Sequence, residues 1–181
     1  MVGQQHIIGP GKPLRRALDN GGIYSCIFWG PPGTGKTTIA RLLAGETDLA
    51  FEQISAIFSG VADLKKVFET ARHRRSNGKS TLLFVDEIHR FNKAQQDSFL
   101  PVMEDGTIVL VGATTENPSF ELNAALLSRA SVLTFKSHTP ESLEQLLGRA
   151  EALLEKPLPL DETARATLYE WAMAMGAQFF L

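Results

Sequence analysis

The 181-residue chain holds a single cysteine, Cys26, inside the apolar run Cys26-Ile27-Phe28-Trp29. One thiol excludes a disulfide framework within the chain, and in such a run it reads as a small buried hydrophobe. Long hydrophobic runs are also missing. No stretch approaches the roughly 18 apolar residues of a membrane span, and the N-terminus has neither a charged start nor an apolar signal segment. No membrane partner is expected, and a reducing cytoplasm is the simplest setting. Excess charge of one sign is missing too: 18 Lys and Arg against 20 Asp and Glu leave a formal net charge of −2. That balance argues against a surface given over entirely to a polyanion and confines any nucleic-acid contact to local patches. Low-complexity tracts and internal repeats are absent from the sequence.

What is present is a rhythm of strand, glycine turn and helix. Cys26 to Trp29, Phe51 to Ile54, Thr81 to Val85, Ile108 to Gly112 and Val132 to Phe135 read as short buried strands. Helical patterns over Lys36 to Ala44, Val61 to Arg75 and Lys93 to Met103 are long enough to be the crossovers that parallel strands require. The expected fold is α/β, a doubly wound parallel sheet of five strands flanked by helices. After residue 136 no strand pattern returns. Thr139-Pro140-Glu141 opens one helix, another begins near Asp161, and Pro157-Leu158-Pro159 separates them. Residues 1–136 are therefore read as the α/β core and 137–181 as part of an all-helical lid. Both ends read as cut: the chain starts on Met1-Val2-Gly3-Gln4-Gln5 with no leading helix or strand, and closes on the apolar tip Phe179-Phe180-Leu181.

The strongest motif is Gly30-Pro31-Pro32-Gly33-Thr34-Gly35-Lys36-Thr37, a G-x-x-x-x-G-K-T between a strand and a helix. Glycines let backbone N–H groups wrap phosphates, and the helix N-terminus favours an anion. Lys36 reaches the β- and γ-phosphates, and Thr37 can ligate Mg²⁺. Pro32, Gly33, Thr34, Gly35, Lys36, Thr37 and Thr38 are thus candidate ATP contacts.

The second motif is Leu82-Leu83-Phe84-Val85-Asp86-Glu87, an apolar strand ending in two carboxylates. Asp86 at the strand tip suits the Mg²⁺ shell, and Glu87 suits the base that orients and deprotonates the attacking water. Acidic residues before a helix also serve as plain caps.

In Val109-Leu110-Val111-Gly112-Ala113-Thr114-Thr115, an apolar strand ends in hydroxyls that in a parallel sheet emerge at the edge carrying the phosphate loop. Such a group can hold the water or merely cap a turn. Leu126-Leu127-Ser128-Arg129 places one arginine before the last strand. Its planar, always-charged fork suits charge developing on a γ-phosphate, though alone it equally reads as a dipole partner or surface charge.

Taken in order, these motifs resemble the AAA+ ATPases, in the clade of clamp loaders and the RuvB motor. Val2-Gly3-Gln4-Gln5-His6, Ile57-Phe58-Ser59-Gly60-Val61, the run Asp86 to Asp97 and the run Gly112 to Phe120 are similar to the family of replication-associated recombination proteins. Relatives of that family in eukaryotes include the Werner-helicase-interacting ATPase. The resemblance covers nearly the whole chain. It implies a DNA-stimulated ATPase at stalled forks in the bacterial cytosol. Forked, gapped or single-stranded-end DNA and single-strand-binding protein are the implied partners, with assembly into a ring or tetramer.

By the same resemblance Thr115 is the sensor of the γ-phosphate and Arg129 a finger acting on a neighbouring subunit. Val2, Gly3, Gln4, Ile7 and Ile8 line the adenine pocket through backbone and apolar contacts rather than the His6 ring, and His6 equally reads as a surface bystander. Relatives carry a lid arginine where this chain reads Met175-Gly176-Ala177-Gln178, so Gln178 puts lid closure on ATP in doubt.

Weaker features remain. The basic cluster Arg72, His73, Arg74, Arg75 and Lys79 is either a DNA contact or a solvated helix end, and Phe58 and Lys93 are candidate strand contacts in loops, although Phe58 equally fits a core position. Trp29 and Phe28 read as core. Other functions stay open: a clamp-loader or branch-migration motor subunit, or a scaffold that binds ATP without hydrolysing it.

Overall fold

A computed structural model of the chain describes residues 2–177. Five strands, β1 (Cys26–Trp29), β2 (Ala50–Ser55), β3 (Thr81–Asp86), β4 (Ile108–Thr114) and β5 (Ser131–Thr134), form one sheet in the order β2-β3-β4-β1-β5. Every pairing is parallel. The apolar runs of β1, β3 and β4 are explained by burial on both faces, with successive side chains facing opposite layers, whereas β2 and β5, expected as buried strands, are the sheet's edges and are largely half-buried or exposed. Ile27, Leu83, Val85 and Leu110 join a core with Leu64, Phe68, Phe99 and Val102. Cys26, Phe28, Leu82, Phe84, Val111 and Ala113 join the other core, with Leu14, Ile39 and Leu43. Cys26 is fully buried, and burial pushes its thiol pKa far up, so it behaves as an inert hydrophobe.

The helices that cover the sheet follow local signals. Helix α3 (Lys36–Gly45) starts after Gly35, which sits in the left-handed region at φ 92°. Helix α4 (Val61–Ser76) begins where Asp63 accepts a 2.8 Å hydrogen bond from the N–H of Gly60. Helix α9 (Pro140–Leu154) has Pro at its first position and Thr139 as a cap that accepts from Ser142 N–H. Asp161 caps α10 (Glu162–Ala177), accepting from Ala164 N–H at 2.7 Å. Arg165 of α10 bridges Glu144 and Glu151 of α9, and Tyr169 donates to Glu144.

The structure corrects three expectations. Two short helices lead into the first strand, α1 (Gln5–Ile8) and α2 (Pro13–Asp19), where none was expected. The helix expected from Lys93 to Met103 is two, α5 (Lys93–Asp97) and α6 (Phe99–Glu104). Pro101 explains the break, because its missing N–H and its ring conflict with the carbonyl of Asp97 four residues back. Phe58 is 87% exposed, so its core reading falls. Two further short helices, α7 (Pro118–Glu121) and α8 (Ala124–Leu127), lead to the last strand. No helix among the described residues is long and apolar enough to cross a membrane.

Candidate functional site

The strand order brings three carboxyl ends side by side: β3 delivers Asp86 and Glu87, β4 delivers Thr114 and Thr115, and β1 delivers the glycine loop. Ligands of open α/β sheets bind at this edge. The loop from Gly30 wraps onto α3 because Gly33 and Gly35 take φ of 73° and 92°, where a Cβ is strained. No side chain caps the N-terminus of α3, which leaves its first N–H groups directed outward. Pro32, Gly33, Thr34, Gly35, Lys36, Thr37, Thr38, Asp86 and Glu87 line one cavity of about 350 Å³.

Within it, the Lys36 ammonium donates to the carbonyls of Gly30 and Pro31 at 2.7 and 2.8 Å. Burial pushes its pKa below the ordinary lysine range, and the carboxylates of Glu87 and Asp86 pull it back up. Glu87 is in the left-handed region at φ 51°, a conformation that costs a non-glycine residue about 1–3 kcal/mol and recurs at functional sites. Its Oε2 accepts from the Thr115 hydroxyl at 3.3 Å. Residues read from three separate motifs therefore meet in space.

Among the described residues, no cluster of three or more His, Cys, Asp and Glu could hold a metal ion alone. Of the oxygen-bearing side chains that line the cavity, the Asp86 carboxylate and the Thr37 hydroxyl are the candidate ligands. That sparse oxygen set fits Mg²⁺, which keeps water and phosphate oxygens in its shell, better than a metal caged by protein ligands.

The N-terminal residues divide. Gln4 is fully buried, and its amide donates to the Lys136 carbonyl at 2.8 Å and to the Thr34 carbonyl at 3.4 Å. Gly3 packs so closely on His138 that a Cβ would lie 2.7 Å from the ring nitrogen. Val2 is buried. Ile7 belongs to the core with Leu14 and Leu43, and Ile8 lines a separate cavity with Arg15 and Leu42. The His6 Nε2 hydrogen-bonds the Thr134 carbonyl at 2.8 Å. A mainly apolar cavity of about 250 Å³ does adjoin the loop, between Pro31, Pro32 and Thr34 on one side and His138, Leu143, Leu146 and Ala172 on the other. The sequence reading missed this second wall.

Arg129 stands apart from the Lys36 cavity. It pairs with Glu104 at 2.6 Å and donates to the Ala125 carbonyl and Ser128 hydroxyl, with its side chain 40% exposed. The segment before it is anchored by Gln96, which donates to the carbonyls of Phe91 and Glu121 and accepts from Asn123 N–H. Much of the basic cluster at and just beyond the end of α4 is paired: Arg74 with Glu52, Arg75 with Asp105 and Lys79 with Asp48. Gln178 lies outside the described residues.

A parallel sheet with a phosphate-type loop after β1, and Asp-Glu and Thr ends on the adjoining strands, defines a P-loop nucleotide-binding protein. Residues 26–138 match the ATPase family associated with various cellular activities, and the chain belongs to that AAA family. It is 52% identical over 174 residues to the replication-associated recombination protein A of Haemophilus influenzae, covering 93% of this chain and 39% of the relative. With the Escherichia coli K12 protein of the same name the identity is 57% over 149 residues, covering 82% of this chain and 33% of that one. The chain thus spans about two fifths or less of these relatives. Among solved structures, a variant of RuvB from Thermotoga maritima superposes with a TM-score of 0.72 at 27% identity, covering 91% of this chain and 55% of that one.

Proposed function

We propose that this chain is the ATP-binding and hydrolysing part of an AAA+ protein that acts in recombination at replication forks, in the cytoplasm. The carrying observation is the convergence of Lys36, Thr37, Asp86 and Glu87 on one cavity, with Thr115 bonded to Glu87. In this reading the outward N–H groups of α3 and the Lys36 ammonium hold the phosphates. The Thr37 hydroxyl and the Asp86 carboxylate would hold Mg²⁺, which when bound would neutralise phosphate charge. Glu87 orients the attacking water and takes its proton as the water oxygen bonds to the γ-phosphorus and the bond to the ADP oxygen breaks. Thr115 steadies that carboxylate.

The adenine is assigned to the apolar cavity between the glycine loop and α9, with Gly3 and Gln4 as its floor supports. Arg129, committed to Glu104 and exposed, serves the site of a neighbouring subunit in a ring or tetramer. Residues 1–136 form the nucleotide core and 137–181 part of the lid. A DNA stimulus is in keeping with relatives named for replication-associated recombination, and the reading takes forked, gapped or single-stranded-end DNA as that stimulus and single-strand-binding protein as a partner. The exposed Phe58 suits stacking on an unpaired base.

Steady-state ATP hydrolysis with and without forked or gapped DNA tests the reading, with Glu87→Gln beside the wild type. The expected outcome is turnover raised by DNA. In Glu87→Gln, turnover falls by at least about a hundredfold while ATP binding is retained. Unchanged turnover in that variant removes Glu87 as the base, and indifference to every DNA removes the fork assignment.

A further inference from the structure

The Glu87 carboxylate has a second neighbour that none of the motif roles uses. His89 lies on a single 3₁₀ turn, Ile88–Arg90, with its side chain 7% exposed, and its Nδ1 is 3.2 Å from Glu87 Oε2. The same nitrogen is 2.9 Å from the Thr114 hydroxyl oxygen. One nitrogen therefore faces two oxygens, and the question is which atom carries the hydrogen.

A lone pair on Nδ1 would face the Oε2 lone pairs across 3.2 Å with no hydrogen between them. A hydrogen on Nδ1 removes that repulsion and gives both oxygens a donor. The surroundings of Thr114 agree. Its oxygen accepts from Glu116 N–H at 3.0 Å, and its hydroxyl hydrogen can go to the Glu116 carbonyl at 3.2 Å, which leaves a lone pair for the imidazole.

We infer that His89 is a positioning residue for Glu87: its Nδ1–H, shared between Thr114 and the carboxylate, ties Oε2 to the end of β4 and leaves the second oxygen for the attacking water. The inference rests on the reading of Glu87 as the base. Thr115 supplies the other donor to Oε2. Together the two fix the carboxylate's orientation on a backbone that is already constrained in the left-handed region.

The test compares His89→Leu, which removes the donor, with His89→Asn, whose side-chain amide keeps a donor near the Nδ1 position. Measured on each are kcat, KM and the dissociation constant of ATP. His89→Leu is expected to lower kcat by roughly tenfold to a hundredfold with ATP affinity unchanged, and His89→Asn to recover most of that loss. In a Glu87→Gln background neither substitution should lower turnover further.

Full kcat in His89→Leu, or His89→Asn as slow as His89→Leu, overturns the role. An additional loss in the Glu87→Gln background overturns it as well. The two layers separate cleanly: undiminished turnover in Glu87→Gln defeats the assignment of the base, whereas a silent Glu87→Gln beside a fully active His89→Leu defeats His89 alone. Should His89→Leu fail to fold, ¹⁵N NMR of the imidazole in the wild-type protein decides. A hydrogen on Nδ1 is the expected state, and a lone pair there overturns the inference.

Discussion

Gln4 and Lys136, 132 positions apart, are joined by a reciprocal pair of hydrogen bonds: Gln4 Nε2 donates to the Lys136 carbonyl at 2.8 Å, and Lys136 N–H donates to Gln4 Oε1 at 3.2 Å. The same amide reaches the Thr34 carbonyl in the glycine loop. One buried side chain thus ties the start of the chain to the phosphate loop and to the segment that leads into α9.

Replacing it with Leu keeps similar bulk but takes a partner from the buried Thr34 carbonyl, at a cost of about 1–3 kcal/mol, and from the part-buried Lys136 backbone at less. Gln4→Leu should therefore unfold at lower urea with an unchanged m-value, and should bind ATP more weakly because Thr34 is freed. Native stability with native affinity would show the clasp to be incidental.

Gly30→Ala tests a close approach. An added Cβ would lie 2.4 Å from the Phe135 carbonyl oxygen and 2.8 Å from the Phe135 Cβ, contacts that only a backbone shift relieves. Phe135 also packs on Phe28 with ring centroids 4.9 Å apart, so the shift propagates into the core. A loss of about 1–3 kcal/mol by urea denaturation is expected. Weaker ATP binding should accompany it, since the Gly30 carbonyl holds the Lys36 ammonium.

Lys36 gives an alkaline signature. Burial lowers its pKa in the folded chain below 10.5, so between that lowered value and 10.5 the unfolded chain binds more protons than the folded one. Stability contributed through Lys36 therefore rises with pH across that window, and the penalty of burying the ammonium is fully present below it. Urea denaturation of wild type and Lys36→Met at a series of pH values should give a stability difference that shifts in favour of the wild type as pH climbs toward 10.5. Parallel curves would contradict the burial argument.

Much of this molecule is legible in its sequence because its strongest signals are local. Strands β1, β3 and β4 lie in apolar runs, and the structure carries β4 two residues further, to Thr114, whereas β2 and β5 carry polar residues and are largely half-buried or exposed. The Asp-Glu and Thr ends of β3 and β4 follow from those runs, and parallel pairing puts them at the edge with the glycine loop. What was not legible depends on distance or brevity. Helix α1 has four residues, too few for a period to show. Helix α2 did leave a signal: Pro13 at its start, Leu14 and Leu18 four apart, and the Arg15–Asp19 pair. The contacts of Gln4 and of His89 join segments 132 and 25 positions apart, and no periodicity encodes them. The positions of Ile7 and Ile8 were set by their fit to the core beside Leu14 and Leu43, which a motif comparison does not weigh.

In the proposed function ATP is hydrolysed between subunits, with Glu87 from one and Arg129 from the next. Its most direct test is to mix two silent variants, Glu87→Gln and Arg129→Ala. Arg129→Ala removes an exposed ion pair worth at most about 1 kcal/mol, so both proteins should remain folded and competent to bind ATP. In a mixed assembly, the Arg129→Ala subunit supplies an intact base and its Glu87→Gln neighbour supplies an intact arginine. The account predicts that ATP turnover, absent from each variant alone, returns on mixing. A mixture as silent as its components, with mixed assemblies shown to form, would contradict it.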